Sequence, residues 1–129
     1  MTPDRFPPAF ADGVRHFNAG RYFEAHEAFE ELLDDVEGDE RWDLLVALIQ
    51  IAVGYHKCAH GHAGCARMLG LGLEKLAAFP ALAWGVDVGE LRRRVSEDLA
   101  AAGGGEAALA GRLAGDPPRL AMRRAASDR

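Results

Sequence analysis

The chain has 129 residues, enough for one domain with a core of its own and no dependence on disulfides or metal for folding. A formal net charge of -5 and a pI near 5.5 argue against nucleic acid as a partner, which calls for a basic face. The late basic residues, Arg92 to Arg94 and from Arg119 onward, are interrupted by acidic ones and do not make such a face.

The N-terminus carries Asp4 and prolines at positions 3, 7 and 8 without an apolar signal-peptide core. The longest apolar run, Leu44 to Val53, is broken by Gln50 and falls short of the ~20 residues a membrane span needs. The expectation is a cytoplasmic protein without membrane contact, whose two cysteines, Cys58 and Cys65, are reduced.

Pro7-Pro8 followed by apolar residues predicts a short first helix from Ala9 to Asn18, ended by Gly20. From Arg21 to Glu37, Tyr22, Ala25, Phe29, Leu32, Leu33 and Val36 share one face at helical spacing, while Glu24, Glu27, Glu31, Asp34 and Asp35 mostly take the other. Gly38 ends this second helix, and Asp39 caps a third that runs through Leu44 to Val53. A helix apolar nearly all round must be surrounded by protein, so the third is the expected centre of a bundle. A fourth helix is predicted from His62 to Ala78, stopped before Pro80. Asp87 opens a fifth, Val88 to Ala102, with Leu91, Val95 and Leu99 at spacing four. Gly103-Gly104-Gly105 is a break, Glu106 to Leu113 a short amphipathic piece, and Gly115 to Arg129 reads as a mobile tail.

A faint repeat links Gly20-x-Tyr22-x-x-Ala25-x-x-x-Phe29-x-x-Leu32 to Gly61-x-Ala63-x-x-Ala66-x-x-x-Gly70-x-x-Leu73, an offset of 41. It resembles the second-helix pattern of tetratricopeptide repeats, and two units are too few for a solenoid. The expected fold is all-α: a compact bundle of about five helices, built from two tetratricopeptide-like hairpins plus a C-terminal helix. Residues 1–102 form the single domain and 103–129 the break, short helix and tail.

The stretches YFEAHEAFE and LIQIAVGYHK, the Gly61 to Ala66 turn and a late GVDV at Gly85 to Val88 together resemble the domain-of-unknown-function 309 family, small all-helical proteins. The resemblance covers Phe10 to Leu99 and implies a polar signature at His26, Glu27, Glu30, Gln50 and His56. Two departures stand out: Leu33 where the family has tryptophan, and His62 where it has asparagine. The family brings no established activity.

His26 and Glu30, four residues apart, lie on adjacent turns, with Glu27 further round. If Gln50 or His56 from the central helix meets this edge, imidazole, carboxylate and amide surround one cavity, suited to proton transfer or to a divalent metal such as zinc held by His26, Glu30 and His56. The plainer alternative is a hydrogen-bonded packing histidine. A zincin needs a second histidine where Glu30 stands, and a ferritin-like di-iron site needs glutamate three residues before each histidine, where Phe23 and Val53 stand. The run His56-x-Cys58-x-His60-x-His62-x-x-Cys65 is rich in ligands but matches no standard zinc module.

Phosphate-loop and Gly-x-Ser-x-Gly signatures are absent from the sequence. The leading functional expectation is a binding or scaffolding module for a protein or small-molecule ligand, without a cofactor and open to self-association through the apolar flanks of the first helix and of the Glu106 to Leu113 piece. The alternative is a metal-binding protein or hydrolase-like enzyme using His26, Glu27, Glu30 and His56.

Overall fold

Two helical hairpins stacked on one another carry most of the chain in the computed structural model, which describes residues 5–103 and 105–123, the side chain of Glu106 excepted. Helix α1, Phe10–Asn18, buries Phe10, Gly13, Val14 and Phe17 at successive helical turns. Helix α2, Tyr22–Glu30, returns against it with Tyr22, Ala25 and Phe29 buried. The crossing is close because Gly13 has no side chain: a Cβ there stands 2.3 Å from the Phe29 ring.

Helix α3, Arg41–Ala59, packs against α2 and α4 and receives the late helix α6 as well, which explains a sequence apolar on nearly every side. Asp39 prepares its start by accepting the Arg41 backbone N–H at 2.7 Å and the same residue's guanidinium. Helix α4, Cys65–Leu76, lies on α3 through Leu69 over Gly54 and through Gly72 against Ile51.

The two hairpins share one helix-stop device. After α1, Arg21 N–H reaches His16 O and Gly20 N–H reaches Phe17 O; after α3, His62 N–H reaches Lys57 O and Gly61 N–H reaches Cys58 O. Both are Schellman motifs around a left-handed glycine, with φ of 79° at Gly20 and 67° at Gly61. The offset of 41 therefore holds at the stops. It fails further along, since Ala25 and Phe29 are fully buried while Ala66 is exposed and a Cβ at Gly70 meets nothing within 4 Å. Helix α4 turns Cys65, Leu69 and Leu76 inward instead.

Helix α5, Val88–Ala102, is capped by Asp87, whose Oδ1 accepts the Glu90 N–H at 2.9 Å. Helix α6, Glu106–Gly115, buries Leu109 and Leu113. The bundle is all-α as expected, with six helices rather than five and a two-residue hairpin, β1 (Leu82–Ala83) with β2 (Val86–Asp87), antiparallel with Ala83 opposite Val86. Its turn, Trp84-Gly85, has φ of 48° and 84°, the sign required at both central positions of a type I′ turn.

Three expectations need correction. Helix α2 stops at Glu30 rather than Glu37, giving way to a 3-10 turn at Asp34–Val36. Acidic residues at a helix C-terminus oppose its dipole, and the tighter turn lets Leu32 and Val36 both reach the core. The chain does not leave the bundle at Gly115: Asn18 accepts the Leu120 N–H at 2.7 Å and donates to its carbonyl, Leu120 is 2% exposed, and Met122 bridges to Val86. The remaining tail, 124–129, and Gly104 lie outside the described residues. Finally, Cys58 and Cys65 are joined as a disulfide, their Cα atoms 5.1 Å apart, where free thiols were expected. The close α3–α4 crossing sets both residues on the buried seam. No helix among the described residues is long and apolar enough to cross a membrane.

Candidate functional site

Helix α2 presents Phe23 and His26 on the edge it shares with α3, and α3 presents His56 there. Phe23, 46% exposed, stands between the two imidazoles, its ring centre 4.8 Å from that of His26 and 5.4 Å from that of His56. The two histidines thus occupy one side of the molecule but are separated by the phenyl ring.

His26 spends both of its nitrogens locally. Nδ1 lies 2.6 Å from the Phe23 carbonyl, which can only accept, and Nε2 lies 2.8 Å from Glu30 Oε1. Both contacts hold the ring against its own helix, the geometry of a hydrogen-bonded packing histidine. Glu30 is about half exposed, and Glu27 is exposed on α2. Gln50 lies about 120° round α3 from His56, since six residues at 100° each part them, and its Oε1 is buried without a partner among the described residues. Of the five residues proposed from sequence, the structure brings together His26 with Glu30, and His56 with His26 only through Phe23.

His56 meets two further imidazoles. Its ring centre is 4.3 Å from that of His60 and 5.8 Å from that of His62, which in turn are 5.9 Å apart. Burial, then the neighbouring His60, His62 and His26 rings, hold the His56 imidazole below its ordinary proton affinity, with Glu24 opposing. Among the described residues no group of three or more His, Cys, Asp or Glu side chains could hold a metal ion.

Sequence reasoning missed a buried polar network on the inward face of the same end of α3. Asp98, fully buried, accepts the Tyr55 hydroxyl at 2.5 Å, Arg94 Nε at 2.9 Å and Arg112 Nε at 2.6 Å. Burial raises the Tyr22 hydroxyl to about 12, with Arg94 opposing and Asp98 adding to the rise. Every oxygen of Asp98 is used and none faces solvent, so the network joins helices rather than binding anything. The one signal was the spacing of four from Arg94 to Asp98 along a face that also carries Leu91 and Val95.

A cleft of about 700 Å³ opens far from these histidines along the chain, where the start of α3 meets the end of α4 and the β-hairpin. Glu40 and Asp43 line one part, Phe79, Leu82 and Trp84 another, with Lys75 alongside. Among the described residues neither Glu40 nor Asp43 has an ion-pair partner. Trp84 is held in its left-handed turn with its ring edge-on to Phe79 at 5.9 Å and to Phe6 at 6.1 Å. The cleft and the histidine edge are separate places, and the cleft combines volume, an aromatic wall and two carboxylates with one lysine alongside.

The family model described as Domain of unknown function (DUF309) matches residues 10–69. The family resemblance carried by the YFEAHEAFE and LIQIAVGYHK segments is borne out, over a shorter stretch than Phe10 to Leu99. That stretch spans α1 to the start of α4 and contains all five histidines and, of the cleft, only Glu40 and Asp43. No curated protein matches the chain.

Proposed function

We propose that this chain is a binding module whose cleft between α3, α4 and the β-hairpin takes a cationic side chain, arginine or lysine, from a segment of a partner protein. The observation that carries the reading is the juxtaposition of two carboxylates, Glu40 and Asp43, without an ion-pair partner among the described residues, with the Trp84 and Phe79 rings around about 700 Å³. An aromatic face and a carboxylate are the two groups that attract a guanidinium or ammonium, and Arg presents its planar fork to both. The left-handed backbone at Trp84 supports it further, because such strain is kept where it fixes a side chain that matters. Lys75 tunes the site by limiting its net charge, favouring a single cation over a polybasic run.

Peptides selected from a displayed random library against the protein should be enriched in arginine or lysine next to an apolar residue. Glu40→Gln with Asp43→Asn, both at exposed positions, should abolish that enrichment while lowering the melting temperature only slightly, through the loss of two negative charges at the N-terminal end of α3. Selection without cationic enrichment, or equal selection by the double variant, overturns the reading.

The enzymatic alternative built on His26, Glu27, Glu30 and His56 has less support, since His26 contacts the Phe23 carbonyl and Glu30 on its own helix and meets His56 only through the Phe23 ring. The motive for self-association weakens as well, because Leu109 and Leu113, on one of the two flanks that suggested it, are buried within the chain.

A further inference from the structure

We infer that this chain forms a symmetric dimer through the outward face of α2, α3 and α4, the acidic edge of one copy lying on the basic edge of its partner. The face is distinct from the cleft at the start of α3 and from the flanks of α1 and α6.

Its centre is a stripe on α3. Val46, Ile49 and Val53, at helical spacing of three and four, are partly exposed although α3 is the central helix of the bundle. At about 100° per residue they fall within about 80° of His56, on the way round to Gly54 at about 160°. His56 meets the Phe23 ring of α2, and Gly54 lies under Leu69 of α4, so the stripe opens outward between those two helices. Phe23, 46% exposed, extends the apolar surface on the α2 side. On α4, Gly70, Leu73 and Ala77 border a groove with α5, which leaves Met68 and Leu71 beside the stripe, both partly exposed. Contiguous apolar surface of this kind marks a protein interface.

The charge on the two edges selects the occupant. Next to Phe23 the α2 edge carries Glu24, Glu27 and Glu30, with no lysine or arginine between Arg21 and Arg41. On the other side of the stripe stand Lys57 and Arg67. Glu27 and Arg67 are exposed, and neither has an ion-pair partner among the described residues. A net charge of -5 opposes the meeting of two copies unless the contact itself joins opposite charges. A two-fold axis running across the helices sets α2 on α2, acid against acid. An axis running along α3 sets α2 of each copy on α4 of the other, bringing Glu27 toward Arg67 and Phe23 toward Met68 at two equivalent contacts. Both edges stand level with the same part of α3, since Phe23 meets His56 and Leu69, next to Met68, covers Gly54. An axis parallel to α3 preserves that level, so the pairs meet without a slide.

The size of the face sets the strength. Helix α3 has 19 residues, about 28 Å, and its neighbours pack about 8–10 Å away, so the face offers on the order of 500 Å² per copy. About 1,000 Å² for the pair is the lower limit of a specific contact, which makes this a dimer that dissociates on dilution.

The test is sedimentation equilibrium of the full chain at neutral pH from about 5 to 500 µM, a range that spans weak association. Wild type should pass from monomer to dimer, and Phe23→Ala should weaken the association at least about tenfold. Glu27→Lys and Arg67→Glu should each be monomeric alone, because each sets like charges together at both contacts. Mixed in equal amounts, the two variants should associate as well as wild type: one contact of the mixed pair keeps Glu27 with Arg67, and the other has both signs exchanged. Misfolded chains cannot give that rescue. A wild type monomeric throughout, a dimer that Phe23→Ala leaves unchanged, single variants that still associate, or a mixture that stays monomeric overturns the proposal.

Discussion

The Tyr55 hydroxyl of α3 donates to the carboxylate of Asp98 on α5, a fully buried anion that also neutralises Arg94 and Arg112. Burial first, then that hydrogen bond, pushes the Tyr55 hydroxyl far above its usual ionisation range. Arg94 is itself 7% exposed, so removing the anion strands a buried cation. Asp98→Ala should therefore cost about 3–5 kcal/mol of stability in chemical denaturation, whereas Tyr55→Phe, which leaves the ions paired, should cost about 1 kcal/mol. Equal losses would mean that the charges are not the element that matters.

Two helical glycines make opposite predictions. A Cβ at Gly13 stands 2.3 Å from the Phe29 ring, and Phe29 is fully buried with no room to retreat. Gly13→Ala should destabilise by about 1–3 kcal/mol. At Gly70 of α4 nothing lies within 4 Å, so Gly70→Ala gains only helix propensity and should stabilise by about 0.5–1 kcal/mol. Melting temperatures of the two variants should move in opposite directions.

The Cys58–Cys65 bond closes a loop with a sequence separation of 7. On the chain-entropy account a ring of that size restricts the unfolded state by about 2–3 kcal/mol. Denaturation midpoints measured with and without a reductant should differ accordingly. The double substitution Cys58→Ser with Cys65→Ser should show no dependence on reductant.

Much of this fold was legible because its helices obey simple rules. Phe10, Val14 and Phe17 announce α1, Gly20 and Gly61 mark the stops, and Asp39 and Asp87 occupy the starts of α3 and α5. The β-hairpin was not legible, since strands of two residues are too short to alternate. Asp98 reads on sequence as a solvated charge and becomes buried only because Arg94 and Arg112 reach it from two helices. Leu120 is a lone apolar residue in a proline-flanked tail, and its partner Asn18 is remote in sequence. On α2 the spacing of four does bring His26 to Glu30, but spacing cannot say that the Phe23 carbonyl would claim one nitrogen of His26. The cleft draws on Glu40 and Asp43 from one hairpin end and Trp84 from the turn, a gathering no local pattern reveals.

Asp39 provides a pH test. The Arg41 guanidinium bonded to its side chain holds its carboxyl below the usual range, with burial opposing. A depressed carboxyl stabilises the fold above its unfolded value, near 3.9, and that contribution is lost as pH falls through the folded value. Asp39→Asn keeps a side-chain acceptor for the Arg41 N–H but removes the charge. The variant should be less stable than wild type at neutral pH, with the gap closing below about pH 4. A gap independent of pH would assign the effect to the hydrogen bonds alone.

His26 decides between packing and chemistry on α2. Its side chain is 17% exposed, bonded to the Phe23 carbonyl and to Glu30, whose own side chain is 52% exposed. An ion pair that open contributes little, so most of the loss in His26→Ala comes from the carbonyl bond and the contact with Phe23. The expected cost is about 1–2 kcal/mol in urea denaturation. Glu30→Ala, which removes only the exposed partner, should cost less than half as much. Peptide selection at the cleft should survive His26→Ala. A variant as stable as wild type but deficient in that selection would return His26 to the functional machinery.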